Sequence, residues 1–291
     1  MKARDLILER FSSLSPKLQD AAKFVVDHPN EVVIASMRTL AERAGAQPAT
    51  FVRLAKQLGF AGWPELKDAF ADGLGLRPGS YGERAKSLAT RGRRADLLGE
   101  MFGAHRHNLE LTESQCATSL REAARMLKRA KAVHVAGFRA SFPIAHSLAY
   151  GYRLFRNAVH LIDGLAGGLE MQLRPIERQD AVVAIAFAPY SRESLLVAQA
   201  AKAAGAHIIA MTDSSASPIA LLADVPIKFS VDSPSFFPSI AAAIAATEAL
   251  LEILVADAGD AALKQIDRAE QHLFDSGAYL QAPAKRPPAK D

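Results

Sequence analysis

The sequence predicts an α/β protein in two parts, an all-α first region followed by a parallel sheet with helices on both faces. Three observations carry this. From Met1 to about Leu76 apolar residues recur at helical spacing. From Lys131 onward five short apolar runs alternate with helical segments. Between the two textures lies a cluster of chain breakers and charge. A length of 291 residues suits two domains.

In the first region, Ser15-Pro16 reads as an N-cap with proline at the first helical position. Leu18, Ala21, Ala22 and Val25 then keep one stripe until His28-Pro29 stops it. Trp63-Pro64-Glu65 restarts a short helix in the same way. Val32-Val33-Ile34 is the one β-branched run in an otherwise helical stretch, and His28 and Trp63 read as packing residues. Arg77-Pro78-Gly79-Ser80-Tyr81-Gly82 and the charged stretch Glu83 to Arg94 read as a linker. The expected boundaries are a helical domain over 1–77, a linker over 78–95 and the second domain over 96–275.

That second part opens with a helical pattern from Asp96 to Arg129, interrupted near Thr112 to Gln115. Strand-like runs follow at Ala132–Ala136, Val159–Ile162, Ala181–Phe187, His207–Thr212 and Val225–Phe229. Helical segments such as Leu195 to Ala204 and Ile219 to Ala223 separate them, and a last helix is expected over Ser239 to Ala258. Buried-type runs separated by helices are the pattern of βαβ units in a parallel sheet. The tail 276–291, with Ala282-Pro283-Ala284-Lys285-Arg286-Pro287-Pro288, is too polar and proline-rich to pack and is expected to be disordered.

Composition narrows the function classes. Hydrophobic residues make up 49% and charged residues 23%, which fits a globular core rather than a disordered chain. The net charge of +4 is compatible with nucleic acid and with a mildly basic enzyme. With Cys116 alone, no disulfide framework or cysteine zinc site can form, and no other spacing suggests a metal or a cofactor. The N-terminus lacks the apolar core of a signal peptide, and the most apolar stretch, Ile240 to Val255, carries Glu248 and Glu252. The expectation is a cytoplasmic protein without a membrane partner.

The segment Met37 to Lys56 carries the sharpest signal. Two crossing helices need a small residue where they meet, a turn residue that tolerates positive φ, and apolar anchors on the second helix. Ala41 and Gly45 meet the first two needs, while Leu40, Ala44, Phe51 and Leu54 supply the buried face. Pro48 fits the first turn of the second helix. The outward set is expected to be Gln47, Ala49, Thr50, Arg53, Lys56 and Gln57, with two cations and no acid, which suits the phosphate-lined major groove of double-stranded DNA. A plain helical hairpin with a glycine turn would have the same spacing.

Two loops in the α/β half read as anion sites. After the first strand comes Gly137-Phe138-Arg139-Ala140-Ser141, and after the third Ala188-Pro189-Tyr190-Ser191-Arg192-Glu193-Ser194; each opens a helix. Backbone N–H groups and a hydroxyl at a helix start are a general means of holding phosphate. The candidate ligand residues are Gly137, Arg139, Ser141, Ser191, Arg192, Glu193 and Ser194. Ser191 is equally an ordinary N-cap. Neither a dinucleotide fingerprint nor a P-loop is present. Asp213 reads as a strand-end cap or a carboxylate of the site, His134 as core or edge, and His146 as an exposed helical residue. No catalytic set emerges.

Taken together, the first part resembles the RpiR/MurR family of transcription regulators. The resemblance runs from Ser36-Met37-Arg38-Thr39-Leu40-Ala41 through Pro48-Ala49-Thr50-Phe51-Val52-Arg53 to Leu58-Gly59-Phe60-Ala61-Gly62-Trp63-Pro64-Glu65-Leu66-Lys67. The second part is similar to the sugar isomerase (SIS) domain of that family, through Gly137–Ser141, Ser191–Ser194, Thr212-Asp213-Ser214 and Ser217-Pro218-Ile219-Ala220. The resemblance implies a helix-turn-helix domain followed by a five-stranded parallel α/β SIS domain of flavodoxin-like or Rossmann-like form. It also implies a homodimer or tetramer, a DNA operator and a phosphosugar effector held by Ser141, Ser191 and Ser194. Arg139 and Pro189-Tyr190 with Arg192 depart from the commoner SIS loops, which opens the effector to sugar acids and larger phosphorylated compounds. A repressor of carbohydrate genes, without enzyme activity, is the expectation; a phosphosugar isomerase using Glu193 as base, or a module that contacts only protein, are the alternatives.

Overall fold

The computed structural model describes residues 3–73, 81–91 and 96–280. The first region holds α1 (Ala3–Arg10), α2 (Pro16–Asp27), α3 (Pro29–Ile34), α4 (Met37–Arg43), α5 (Pro48–Gln57) and α6 (Trp63–Gly73). Pro16, Pro29 and Pro48 each stand at the start of a helix, where the missing N–H leaves no bond unmade. The β-branched run is helical too, because Val32 is drawn into a core shared with Val25, Leu40, Phe51, Leu54 and Leu66. Burial overrides β propensity here.

The stretch expected as a linker carries a helix, α7 (Tyr81–Arg91), with no buried residue. Its arginines fasten it: Arg84 Nη2 donates to the Ser233 carbonyl at 2.9 Å, Arg91 Nη2 to the Pro234 carbonyl at 2.6 Å and Arg91 Nη1 to Glu100 Oε2 at 2.6 Å. The breakers at 77–80, the charges at 92–94 and the proline-rich tail at 282–288 lie outside the described residues.

α8 (Leu97–Arg129) is one unbroken helix of 33 residues, so the expected interruption near Thr112 is absent. Thr112 in that stretch, and Asn108 one turn before it, have partners across the fold. Thr112 Oγ1 accepts from the Ser230 amide at 2.9 Å, Asn108 Oδ1 from the Ser230 hydroxyl at 2.7 Å, and Asn108 Nδ2 donates to the Asp232 carbonyl at 2.7 Å. Both side chains are buried, and buried polar groups need such partners.

Five strands follow: β1 (Val133–Gly137), β2 (Val159–Ile162), β3 (Ala181–Ile185), β4 (His207–Thr212) and β5 (Val225–Lys228). They pair in parallel in the order β2-β1-β3-β4-β5. α9 (Phe142–Arg153), α8 and α12 (Ala241–Ala258) cover one face over a core including Leu127, Val135, Leu148, Ile209 and Leu250. α10 (Leu169–Leu173) and α11 (Arg192–Ala204) cover the other, over Ala136, Ile162, Val182 and Val197. The helix expected over Ile219 to Ala223 is a single 3-10 turn, Ala220–Leu222. Gly259, with φ +56°, ends α12 and starts a further helix, α13 (Asp260–Asp275), that the sequence reading does not anticipate. No described helix is long and apolar enough to cross a membrane.

The strand order fixes where a ligand crevice can form. The connections from β1 lead one way to β2, and β3 then lies on the other side of β1. In open parallel sheets the crevice lies at the carboxyl ends of the strands flanking such a reversal. Gly137 and Ile185, the last residues of β1 and β3, are register partners there.

Candidate functional site

The helical pair α4–α5 is built as its residues require. The Ser36 hydroxyl caps α4, accepting from the Thr39 amide at 3.2 Å. Ala41 is buried at the crossing, and Gly45 takes φ +61° in the turn. Phe51 is fully buried and meets Trp63 edge-on, with ring centroids 5.2 Å apart. Gln47, Ala49, Arg53, Lys56 and Gln57 are exposed on α5.

Thr50 is the correction in this set. It is only 6% exposed, because α5 packs against α2 and Thr50 falls toward that contact. It lies in the wall of an open groove of about 840 Å³ between the start of α2 and α5. Ser15, Lys17, Arg53 and Lys56 line the same groove, so three cations meet at a helix N-terminus. Sequence reading found Ser15-Pro16 only as a cap; Lys17 was missed, and nothing local in the sequence pairs it with α5.

At the carboxyl ends of β1 and β3 the two expected loops meet. Gly137 is required by space: a Cβ there would sit 2.7 Å from the Ala145 Cβ and 2.7 Å from the Ser141 carbonyl oxygen. Arg139 has left-handed backbone, φ +53°, uncommon for a residue with a side chain. Its guanidinium crosses to the other loop, Nη2 lying 2.8 Å from Glu193 Oε1. The second Glu193 oxygen, Oε2, is buried without a hydrogen-bond partner. Ser191 caps α11 by accepting from the Ser194 amide at 3.2 Å.

Tyr190 is anchored from behind. Its hydroxyl donates to Asp213 Oδ1 at 2.7 Å, while Asp213 Oδ2 accepts from the Ala188 amide at 3.2 Å. Burial, then the neighbouring Asp213 carboxylate, push the Tyr190 hydroxyl well above the usual phenol range, so it stays a donor. Asp213 thus holds the loop after β3 in place.

The structure divides the expected ligand set. Arg139, Ser191, Arg192 and Glu193 line an open cavity of about 530 Å³ together with Tyr190. Ser141 and Ser194 are buried behind it, 5% and 1% exposed. The Ser194 hydroxyl is within 2.8 Å of the Ser191 hydroxyl and donates to the Ile185 carbonyl at 3.4 Å. His146 is exposed on α9, as expected, and its ring stacks with Tyr150. Among the described residues no group of three His, Cys, Asp or Glu side chains could hold a metal.

Residues 1–75 match the helix-turn-helix domain of the rpiR family, and residues 126–253 match the SIS domain. The chain belongs to the RpiR family. A relative of this RpiR protein is the uncharacterized HTH-type transcriptional regulator YbbH of Bacillus subtilis (strain 168). It is 25% identical over 226 residues, covering 74% of this chain and 75% of that protein. Another, TTE0211 of Caldanaerobacter subterraneus subsp. tengcongensis, also named an uncharacterized HTH-type transcriptional regulator, is 24% identical and covers 86% of this chain and 87% of its own. The Vibrio vulnificus NanR protein complexed with ManNAc-6P shares the fold at a TM-score of 0.59 and 18% identity, over 94% of this chain and 100% of that one. The sugar isomerase domain of the RpiR transcription factor from Sphaerobacter thermophilus does so at 0.58 and 22%, over 61% and 99%. This RpiR protein is a helix-turn-helix transcription regulator with a SIS domain.

Proposed function

We propose that the protein is a repressor of carbohydrate genes that grips an operator as a homodimer, or a dimer of dimers, and is controlled by a phosphorylated sugar or sugar acid. The observation that carries this reading is the crevice lined by Arg139, Ser191 and Arg192, where α11 begins beside the close Gly137 turn, in a chain that starts with an rpiR-type helix-turn-helix. Two guanidinium groups and the positive end of α11 favour an anion there. A protein of the same fold, NanR, is complexed with ManNAc-6P, which fits a phosphosugar in such a crevice.

In this proposal α5 enters the major groove and Arg53, Lys56, Gln47 and Gln57 face the DNA, with Ala49 making close contact. Thr50 supports the helix from within. Two-fold symmetry places half-sites about 34 Å apart on one face of the duplex. The effector acts by binding the two conformations unequally, with about 1–3 kcal/mol of coupling. Ser141 and Ser194 lie behind the crevice, their amides bonded to the Phe138 carbonyl and the Ser191 hydroxyl, so they hold its two loops in shape.

Footprinting on the DNA upstream of the protein's own gene tests this. The expected result is a protected palindrome whose occupancy changes when hexose 6-phosphates or sugar-acid phosphates are added. No specific protection, with or without them, overturns the proposal.

A further inference from the structure

α12 is apolar on both of its sides, with Glu248, Glu252 and Asp257 its only charged residues over Ala241–Ala258. Ala243, Ala246, Leu250 and Leu254 face the core on the sheet. On the outward side Ala245 and Ile253 are partly exposed and Ala249 is exposed. A surface helix carries one apolar stripe and a polar back, whereas a helix apolar all round is a helix covered all round. Something therefore lies on the outer side of α12.

The surface there is shaped to receive it. α8 and α12 frame a groove of about 410 Å³, walled by Leu109, Leu120, Ala245, Ala249 and Ile253. Leu109 is 41% exposed. α13 packs on α12 yet lines no part of the groove. Residues 281–291 carry no large apolar side chain that could fill it.

The charges on the groove identify its occupant. Glu113 and Arg121 stand four residues before and four residues after Ala117, and all three line the groove. All three are exposed, and neither charge has an ion-pair partner among the described residues. When a helix packs antiparallel on a second copy of itself, the two-fold axis sets the residue four before the centre opposite the residue four after it. With the axis at Ala117, Glu113 meets Arg121 of the second copy, and the same pair forms again on the other side. The small Ala117 side chain lets the two axes approach to the near end of the usual range, about 8 Å.

We propose that the α8–α12 groove holds α8 of a second copy of this chain, antiparallel and crossing at Ala117, with two Glu113–Arg121 ion pairs closing the contact. This assigns a surface to the homodimer of the reading above and rests on that reading for the homodimer alone.

Sedimentation equilibrium of the full-length protein, without DNA or sugar, tests it. The wild type should be a dimer at micromolar concentration. Glu113→Arg or Arg121→Glu turns two attractions into two repulsions and should weaken dimerisation roughly thirtyfold. The double variant Glu113→Arg/Arg121→Glu restores opposite charges at both places and should return to within about threefold of the wild type. Ala249→Glu, which sets a carboxylate in the groove, should also weaken the dimer, whereas Leu165→Glu, at an exposed apolar residue outside the groove, should not. Circular dichroism of each variant should match the wild type. A monomeric wild type, single reversals without effect, a double variant as weak as the singles, or a dimer weakened equally by Leu165→Glu each overturns the proposal. A wild-type dimer indifferent to all these changes sinks the interface and leaves the operator and effector reading standing. An absent footprint alongside the expected charge-swap pattern does the reverse.

Discussion

Arg139 Nη2 and Glu193 Oε1 stand 2.8 Å apart, so the loops after β1 and β3 are joined by an ion pair across the crevice between them. An anionic ligand entering the crevice competes with Glu193 for that guanidinium, and Glu193 repels it. Glu193→Gln should therefore strengthen binding of a sugar phosphate, by about 1 kcal/mol or roughly fivefold for so exposed a pair. Arg139→Ala should weaken it by a larger factor. Calorimetric titration of both variants decides this; a weaker Glu193→Gln variant would assign the carboxylate an attractive role.

Gly137→Ala probes the close turn. The added methyl would meet Ala145 and the Ser141 carbonyl at 2.7 Å, neither the end of a flexible side chain. A cost of about 1–3 kcal/mol in stability is expected, with loss of effector binding as α9 is pushed outward. Thermal unfolding monitored with and without ligand measures both. An unchanged midpoint would mean the turn is softer than its packing implies.

On the helix-turn-helix, Arg53→Ala should weaken operator binding by about 1–3 kcal/mol if the guanidinium reads a base. Lys17→Ala and Lys56→Ala should act more evenly across sequences and each reduce the salt slope by roughly one ion, as phosphate contacts do. Thr50→Val should leave operator affinity nearly unchanged, because its side chain faces α2. Mobility shifts at several salt concentrations separate the three behaviours.

These contrasts mark how far the sequence could be read. Every strand was legible, because a run such as Ala181–Ile185 is apolar throughout, and so were the helix-opening loops after β1 and β3, where a serine before a helix has a local cause. The α4–α5 turn was legible for the same reason: Ala41, Gly45 and Pro48 each meet a local requirement. Thr50 was misplaced because its burial comes from α2, 23 or more residues earlier in the chain. Thr112 suggested a helix break only because its partner, the Ser230 amide, lies 118 residues away. Asp180 and His134, buried and bonded at 3.1 Å, were likewise unreadable as a pair. Long-range partners decide the fate of polar residues, and one chain without its fold does not reveal them.

Asp180 gives a pH prediction. Burial pushes its carboxyl up, but hydrogen bonds from the Glu177 amide, His134 and the Ala132 amide outweigh that and hold it below the usual carboxylate range. A folded-state value below the unfolded one, about 3.9, stabilises the protein above that pH and ceases to do so as pH falls through the folded value. Asp180→Asn should thus lower the melting temperature at pH 7, on the order of 5 °C. The gap to wild type should close at more acidic pH, and a gap that stays constant to the acid limit would remove the ionised carboxylate as its source.

The clasp between α7 and the segment before α12 bears on how force could travel through the molecule. Arg84 and Arg91 grip the carbonyls of Ser233 and Pro234, and the neighbouring Asp232 and Ser230 are bonded in turn to Asn108 and Thr112 on α8. α8 is a strut about 50 Å long at 1.5 Å per residue. A swing of α7 must either drag that segment and load the strut or release both of those hydrogen bonds and the Arg91–Glu100 ion pair that ties α7 directly to α8. The helix behind the DNA-binding region is thereby a tether with a defined breaking point.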